Sequence, residues 1–587
     1  MATLQKRISK GHAYWSIVES RRVNGKPRPV ILAYLGRAED LLTRLKEGIP
    51  NKVKSYSHGS VATLLKIAEE LRVVETINKH LPEHCKIIRN GFTVGGSLLL
   101  AAIGRACRPT SKDNWYQGFA CHTSLPLLLK MSLSKLDSQH FWDQMDVVPS
   151  SAISKIEEDL IQSVTEIERV KPGVLLCDMS NFFTYIASDN LRCSLAQRGK
   201  NKQKRIDLRQ LGILLLVTRE HHLPLLHSIY QGNLQDRTVF KEHFESIVKR
   251  FKAVYGSLEE ITLVFDQGNN SKKMLDEVNN AIHFVGAVSP FHNKTLLDEA
   301  NQSMVEINVS RKKIQTYRTR TLIWDLDLTA VVYISETLRK GQIRGIEQNI
   351  KKLFSQLNEL KEKVSIPTQR GPKRNRKVLD KKIEKLICSL KLKDLVSWQL
   401  CELSEDAFDL DFWIDQEQFD ILKEKWLGRR ILIANRHDWS TEEIIMAYWG
   451  QANVEYAFKN LKNPFHLAVR PQYHWTDQKI EVHALICLIG FLLTMVLYKR
   501  VAENTGFKAS PHNLLEKLSA VRLSTFIESP EKKSKGRYKT IQKIEEIEDE
   551  EMLNIVNKLG LLDDKYKVKI CLLYTSPSPR DRTRSRM

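Results

Sequence analysis

The chain has 587 residues, which is too long for one hydrophobic core, because single cores stop growing at roughly 250–300 residues. By length, about two to four domains are expected. Hydrophobic residues make up 42% and charged residues 27%, values that are typical of globular proteins and exclude wholesale disorder. Lys and Arg outnumber Asp and Glu by 91 to 69, a net charge of +22. This surplus predicts a polyanionic partner, either nucleic acid or an anionic membrane surface.

Three features favour nucleic acid over a membrane. The longest apolar run, Ala484–Tyr498, has 15 residues, fewer than the roughly 20 of a spanning helix, so it is predicted to be a buried core helix. No apolar stretch follows Met1–Lys10, so no signal peptide is predicted. The nine cysteines are scattered without a Cys-x-x-Cys pair, which indicates neither a disulfide framework nor a zinc site and fits the cytoplasm.

The N-terminal 50 residues are predicted to form a β-hairpin segment. Two apolar runs within His12–Leu35 flank Asn24-Gly25, a dipeptide that favours the type I′ turn of a hairpin. Basic side chains border both strands. They could enter a DNA groove or simply guard a solvated sheet edge.

Residues 51–165 are predicted to be helical. From Ser60 onward apolar residues recur with a period of 3.6, and Gly95–Ile103 is a further apolar segment. Such a block could bind DNA ends or dimerise, and the sequence leaves both possibilities open.

Residues 170–300 have the pattern of an α/β sheet with mixed strand direction. The predicted helix here is Thr238–Lys252, and the predicted strands are Val174–Cys177, Leu211–Thr218, Leu223–Ile229, Ile261–Phe265 and Phe284–Val288.

The pattern changes again in residues 301–427, which combine strand character in Thr316–Ser335 with a charged helical stretch, Ile343–Val364. Thr368–Lys377 contains Pro, Gly and several cations and is predicted to be an exposed loop. Residues 428–500 resume an α/β pattern at Gly428–Ala434, and residues 501–570 are predicted to be helical.

The end of the chain differs abruptly in composition. Cys571–Asp581 reads CLLYTSPSPRD and resembles the conceptual translation of a sequencing adapter. Residues 571–587 are therefore expected to be an artefact and are left out of the fold prediction. A disordered basic tail is the alternative that this composition also allows.

Two aspartates directly follow predicted strands. Asp178 follows Val174–Cys177, and Asp266 follows Ile261–Phe265. Because ligand sites in α/β sheets gather outside the carboxyl ends of strands, the two carboxylates are candidates for a metal-binding pair. Taken singly, each could be an ordinary turn former.

A third acidic residue lies on a predicted late helix. Ser440 and Glu443 form a capping box that starts this helix. Tyr448, Glu455 and Lys462 follow at intervals of seven residues. Seven residues make nearly two turns, so these side chains are predicted to share one face, with Gln451 beside them. An ordinary amphipathic helix would show the same spacing.

Together these residues resemble the DDE transposases of bacterial insertion sequences, in the insertion-sequence-four-like group marked by a Tyr-Arg-Glu-Lys motif. The resemblance runs from about Lys10 to about Tyr498. It rests on Asp178, Asp266 and Tyr448-x2-Gln451-x3-Glu455-x6-Lys462, and further on His58-Gly-Ser-Val, Arg198–Leu211, Tyr230-Gln-Gly-Asn233 and Val454–Lys462 with Asn463-Pro464. One departure is Gln451, where the family has Arg. Arg binds phosphate bidentately through a permanent charge, whereas Gln offers one neutral donor group.

The resemblance implies an RNase-H-like catalytic core interrupted by an insertion domain at residues 301–427. It implies that Asp178, Asp266 and Glu455 are catalytic and hold two Mg²⁺ (or Mn²⁺) ions. The implied activity is cleavage at transposon ends followed by strand transfer into target DNA. The implied partners are terminal inverted repeats, target DNA and a second copy of the chain, in the bacterial cytoplasm with the nucleoid and without a membrane. Tyr448, Gln451 and Lys462 would lie on DNA near the cut. From the residues alone, Tyr448 could instead be a core aromatic with its hydroxyl satisfied, and Lys462 a solvated helix charge.

Two basic stretches are candidates for phosphate contacts. Arg198, Lys200 and Arg205 lie in the first, and Arg374 and Lys377 in the second. Charge of this kind binds DNA without sequence information, although a solvated surface has the same composition. Two alternative functions stay open: a catalytically inactive DNA-binding protein descended from a transposase, and an RNase-H-like nuclease without strand transfer.

Overall fold

The structure is a computed structural model in which the chain forms two compact units. It describes residues 2–9, 11–23, 26–39, 42, 52–170, 173–201, 203–266, 272–367, 373–404, 406–469, 474–527, 540–545 and 547–560. The terminal unit comprises Met1–Ile156, Asn463–Val469 and Gln478–Met587. The central unit comprises Glu157–Lys462 and Arg470–Asp477. The eight cysteines within the described residues are all free thiols.

The terminal unit begins with a three-stranded antiparallel sheet, β1 (Ala2–Ser9), β2 (His12–Val23) and β3 (Lys26–Arg37), in the order β1-β2-β3. Strands β2 and β3 are the two arms of the predicted hairpin, whose turn residues Asn24 and Gly25 lie outside the described residues. The sequence prediction missed β1, because Gln5-Lys6-Arg7 interrupts the alternation of Ala2, Leu4 and Ile8.

The terminal unit continues as a mainly helical block, as its 3.6-residue period predicts. Thr93 caps the most apolar helix of this block by accepting a hydrogen bond from the Gly96 amide. The elements are β4 (Lys52–Ser57), α1 (Gly59–Glu70), α2 (Val73–Lys79), β5 (Ile88–Arg89), β6 (Phe92–Thr93), α3 (Val94–Cys107), α4 (Trp115–Gly118), α5 (Leu125–Leu128), α6 (Ser138–Asp146) and α7 (Ser150–Glu168). From Glu157 onward α7 belongs to the central unit.

The first half of the central unit supplies most of its sheet. Its elements are β7 (Val174–Thr184), β8 (Arg209–Thr218), β9 (Pro224–Gln231), α8 (Asp236–Tyr255), β10 (Thr262–Phe265), α9 (Lys272–Ala281), β11 (His283–Val288), α10 (Lys294–Gln302), β12 (Val305–Val309), β13 (Lys312–Ile323) and β14 (Leu326–Ile334). The second half is mainly helical. Its elements are α11 (Glu336–Ser365), α12 (Arg376–Ser389), β15 (Val396–Ser404), β16 (Ala407–Ile414), α13 (Gln416–Lys425), β17 (Arg429–Ala434), α14 (Thr441–Trp449) and α15 (Gln451–Lys462).

The central unit is built on a nine-stranded sheet in the order β12-β13-β14-β17-β11-β10-β7-β8-β9. Strands β7, β10 and β11 are parallel to one another, and the flanking pairs are antiparallel. This confirms the predicted mixed α/β sheet. Strand β7 is longer than predicted and runs past Asp178 to Thr184, because β8 pairs with it along this whole length.

Residues 336–425 form a separate hydrophobic core beside the sheet. Leu353 and Leu357 of α11, Ile383 of α12 and Leu410 of β16 are fully buried in it. Strands β12–β14 fall within the range predicted for the insertion domain, yet they pair into the main sheet. The part of that range with its own core therefore begins at Glu336.

The terminal unit is completed by α16 (Asp477–Thr505), α17 (Pro511–Ser519), β18 (Arg522–Ile527), β19 (Thr540–Ile544) and α18 (Glu550–Lys558). By length and composition α16 could cross a membrane, but 94% of its apolar window is buried, as predicted for a core helix. Strand β18 pairs with β4 and β19, so the prediction of a wholly helical C-terminal region was wrong. Residues 571–587 lie outside the described residues.

Candidate active site

The register between β7 and β10 places the two predicted aspartates side by side. The strands are parallel and pair Leu176 with Val264. Two residues beyond this pair are Asp178, which is still within β7, and Asp266, which is the first residue after β10. Adjacent strands lie about 4.8 Å apart. The two aspartates therefore lie near each other at the point where β10 ends.

Both aspartates line one cavity of about 780 Å³. Cations line it as well: Arg198 and Lys200 come from the segment before β8, and Lys462 comes from the end of α15. Carboxylates can hold a divalent cation, and Lys and Arg can hold a phosphate. A cavity lined by both kinds of group has the charges that a phosphodiester with a bound cation requires.

Lys462 is oriented by two contacts with β7. Its Nζ donates a hydrogen bond to the Ser180 hydroxyl and lies 4.9 Å from the centroid of the Phe182 ring. Asp178, Ser180 and Phe182 alternate along the strand and thus share one face. The Lys462 ammonium is consequently on the face that carries Asp178.

Glu455 lies on the helix that packs against this face, but outside the cavity lining. The Phe458 ring of α15 is 6.3 Å from that of Phe182. Glu455 precedes Lys462 by nearly two helical turns, which places it on the Lys462 side of α15, and it is exposed. Within the described ranges, which include all three predicted ligands, no group of three His, Cys, Asp or Glu side chains could hold a metal ion. The structure thus brings two of the three carboxylates together.

The helix that was predicted to carry Tyr448 and Glu455 is interrupted at Gly450. The capping box of Ser440 and Glu443 is present, but α14 ends at Trp449 and α15 begins at Gln451. A Cβ atom on Gly450 would lie 3.0 Å from the Leu176 side chain and 2.9 Å from the Ala447 carbonyl oxygen. The prediction of one continuous helix was wrong, and Tyr448 lies on a different helix from Glu455.

Tyr448 is buried, with 6% of its surface exposed. Its hydroxyl donates a hydrogen bond of 2.9 Å to Oδ1 of Asp266 and accepts one of 2.9 Å from Nη1 of Arg430. Burial, followed by the charge of Asp266, raises the pKa of the Tyr448 hydroxyl well above its usual value. In this structure Tyr448 contacts a candidate metal ligand.

Gln451, which replaces the family Arg, begins α15. Its Nε2 is buried and has no hydrogen-bond acceptor among the described residues. A buried donor without an acceptor costs about 1–3 kcal/mol, and Gln451 is not among the residues that line the cavity.

The predicted basic residues before β8 differ in their surroundings. Arg198 donates a 2.9 Å hydrogen bond to the Ser188 hydroxyl while lining the cavity. Arg205 is exposed and forms two hydrogen bonds, of 2.8 and 2.7 Å, with the Asp207 carboxylate. Its charge is therefore balanced locally, which makes Arg205 a weaker candidate for phosphate binding than Arg198 or Lys200.

Gln210 and two glycines hold the basic segment beside the cavity, and sequence reasoning did not identify this role. The backbones of Gln210 and Gln197 exchange hydrogen bonds of 2.9 and 2.8 Å, and Nε2 of Gln210 donates to the Gly232 carbonyl at 2.7 Å. A Cβ on Gly199 would lie 2.3 Å from that same carbonyl oxygen. The glycine within Tyr230-Gln-Gly-Asn233 was the available signal.

Arg374 and Lys377 are not brought to the cavity. Nη1 of Arg374 donates to the backbone carbonyls of Val364, Ile366 and Asp406 at 3.3, 2.6 and 3.2 Å, which gives Arg374 a structural role. Lys377 is exposed in the first turn of α12, so the predicted loop ends before it. Residues 368–372 of that loop lie outside the described residues.

The aspartate pair fits a hard divalent cation. Mg²⁺ is usually bound in proteins through one or two carboxylates, with waters and substrate phosphates completing its shell. Asp178 and Asp266 supply those carboxylates, and the Lys200 and Lys462 side of the cavity suits the phosphate.

One comparison with known proteins agrees with the sequence resemblance. Residues 3–57 match the family model described as "IS1634 family transposase, N-terminal domain", a range that spans β1–β4. The match confirms the predicted class, an insertion-sequence transposase. The particular family to which the N-terminal residues are similar is the IS1634 family.

Two further comparisons add little. No curated protein matches the chain. A solved structure, "Cryo-EM structure of piggyBac transposase synaptic complex with hairpin DNA (SNHP)", is similar with a TM-score of 0.36 and 11% identity, covering 78% of this chain and 79% of that chain. A similarity at that level carries no argument about fold or function.

Proposed function

We propose that this protein is a DNA transposase that cleaves the ends of a mobile element and joins them to target DNA by DDE chemistry. The observation that carries the proposal is the placement of Asp178 and Asp266 at one cavity with Lys462. The net charge of +22 and the N-terminal match to a transposase family support DNA as the substrate.

The carboxylates of Asp178 and Asp266 would hold divalent metal, with Glu455 as the third ligand. When bound, Mg²⁺ or Mn²⁺ supplies positive charge that activates the attacking oxygen and stabilises the leaving oxygen of an in-line displacement. Glu455 is exposed on α15, so it would have to turn toward the pair on assembly with DNA.

Arg198, Lys200 and Lys462 would bind backbone phosphates of the DNA strand. Gln451 is proposed to contact the same strand, which requires its buried Nε2 to become accessible on assembly with DNA. These contacts position the scissile phosphodiester and carry no sequence information. The predicted binding is steeply salt-dependent, because each neutralised phosphate releases counterions.

The reaction would proceed in two displacements at phosphorus. Water first attacks the phosphodiester at the element end, the P–O3′ bond breaks, and a 3′-hydroxyl is released. That hydroxyl then attacks a phosphodiester of target DNA, forming a new P–O bond and releasing a target 3′-hydroxyl. The same carboxylates serve both steps, because only the attacking oxygen changes. The proposed core is RNase-H-like, and the proposed working form is a homodimer on paired ends, in the cytoplasm with the nucleoid.

The test is to incubate the full-length protein with Mg²⁺, duplexes taken from the DNA that flanks each end of the coding sequence, and a supercoiled target plasmid. Duplex joined to plasmid is the expected product. Strand cleavage without joining would replace the proposal by an RNase-H-like nuclease. Duplex binding without cleavage would replace it by a catalytically inactive DNA-binding protein.

A further inference from the structure

We infer that Arg430 and Tyr448 form a hydrogen-bonded relay that orients the carboxylate of Asp266, so that both are positioning residues for the metal site. The inference rests on the proposed function, since it concerns the same carboxylate pair. Arg430 belongs to none of the motifs that indicated a transposase, and it lies on β17 rather than on the strands that carry the aspartates.

The donor and acceptor roles in this relay are determined by chemistry. A guanidinium group has only donors, so Nη1 of Arg430 donates to the Tyr448 oxygen across 2.9 Å. An ionised carboxylate only accepts, so the Tyr448 hydroxyl proton must point to Oδ1 of Asp266, also at 2.9 Å. The guanidinium thus holds the hydroxyl in the orientation in which it donates to Asp266.

The elements that carry the relay are well anchored. Arg430 lies on an inner strand of the sheet, where it pairs with Tyr333 of β14, and its guanidinium carbon lies 5.6 Å from the centroid of the Tyr448 ring. Tyr448 lies on α14, whose first turn is closed by the capping box. Asp266, in contrast, follows the last residue of β10. The hydroxyl therefore connects a carboxylate at a strand end to a fixed helix and an inner strand.

The family resemblance implies that Tyr448 contacts DNA near the cut. Orienting the Asp266 carboxylate is a different role for this residue. A buried side chain with 6% exposure, whose hydroxyl already donates to a carboxylate, is poorly placed to donate to a phosphate. Partners that orient a metal ligand typically change metal affinity or activity by 10- to 100-fold when they are removed. The two roles therefore predict different defects for the same substitution.

The experiment measures Mn²⁺ binding by electron paramagnetic resonance, using full-length protein with the flanking duplex bound. Tyr448→Phe removes only the hydroxyl and is expected to weaken Mn²⁺ binding by about 10- to 100-fold, while leaving the affinity for the duplex unchanged. Arg430→Gln is expected to weaken Mn²⁺ binding in the same direction. The double variant is expected to match Tyr448→Phe alone, because Arg430 acts through the hydroxyl.

The matched control is Tyr255→Phe. The Tyr255 hydroxyl lies 3.3 Å from the Thr165 hydroxyl and Tyr255 is not among the residues that line the cavity, so this variant is expected to bind Mn²⁺ as the wild type does. Weaker duplex binding by Tyr448→Phe with unchanged Mn²⁺ affinity would overturn the relay in favour of a DNA contact. Fully additive effects of Arg430→Gln and Tyr448→Phe would also overturn it, because two independent residues behave in that way.

Asp178→Asn separates failure of the relay from failure of the proposed function. If the relay alone is wrong, the wild type binds Mn²⁺ and cleaves the duplex, and Asp178→Asn loses both properties while Tyr448→Phe keeps them. If the proposed function is wrong, the wild type itself neither binds Mn²⁺ at the aspartates nor cleaves, and Asp178→Asn behaves as the wild type does.

Discussion

Replacing Gly232 by alanine tests how the basic segment is held beside the aspartates. A Cβ at this position would lie 1.9 Å from the Gln210 carbonyl oxygen, 2.5 Å from its carbonyl carbon and 2.7 Å from its Cγ. The first two atoms are backbone of β8, so the strand or the Gly232 segment must move. Overpacking usually costs 1–3 kcal/mol, and a collision with backbone should reach the upper end, about 3 kcal/mol.

The assay combines urea denaturation with hydrogen exchange of the β8 and β9 peptides, because exchange reports local opening. Gly232→Ala should lower the urea midpoint and speed exchange in both strands. It should also weaken duplex binding, since Gly199, between Arg198 and Lys200, packs against the Gly232 carbonyl. The control is Gly345→Ala in α11, where no atom lies within 4 Å of the added Cβ. This helix variant should be stabilised by about 0.5–1 kcal/mol. Equal effects of the two substitutions would refute the reasoning.

Two further predictions concern residues away from the cavity. Glu157→Gln should destabilise the central unit by about 3 kcal/mol, because it removes a buried carboxylate that pairs with Arg250 at 2.7 Å and with His227, although Arg250 keeps its 2.9 Å contact with Glu158. Burial opposes ionisation of Glu157, but His227 and Arg250 outweigh burial and lower the pKa of Glu157 below 4.5. The stabilisation that the Glu157 carboxylate provides is therefore present at neutral pH and is lost as pH falls through the lowered pKa. Acid should consequently shift the urea midpoint less in Glu157→Gln than in the wild type. Arg374→Ala should destabilise the residues 336–425 core by about 1–3 kcal/mol, since it removes donors to three carbonyls, and leave duplex affinity unchanged. A loss of duplex affinity without a loss of stability would instead favour the phosphate contact that the sequence suggested.

The sheet was the most predictable part of the central unit. Strands β8, β10 and β11 are buried along almost their whole length, so each appears in the sequence as a continuous apolar run. The second half of β7 was missed because three of the four residues in Asp178–Asn181 are polar, and only pairing with β8 makes it a strand. The small sheet of β4 and β18 joins residues 57 and 522, a separation that no local pattern reveals.

The candidate site could be predicted only in part. The strand-end position of Asp266 was visible in the sequence, because a change from apolar run to carboxylate marks it, whereas Asp178 lies inside β7. The contact between Tyr448 and Asp266 joins residues 182 positions apart, and periodicity along one helix cannot show it. The seven-residue spacing predicted that Tyr448, Glu455 and Lys462 share one face of a single helix, but the helix is interrupted at Gly450. Gly450 closely approaches Leu176, a tertiary contact that the spacing cannot show.

The most direct test of the central claim is Mg²⁺-dependent cleavage of the flanking duplex by Asp178→Asn and Asp266→Asn proteins, each compared with wild type. Both substitutions keep the side-chain shape and remove the charge that a divalent ion needs. Asp298→Asn, an exposed change on α10, is the matched control and should cleave as the wild type does. The account predicts that either cavity variant binds the duplex normally and cleaves none of it. Normal cleavage by the Asp266→Asn protein would contradict it.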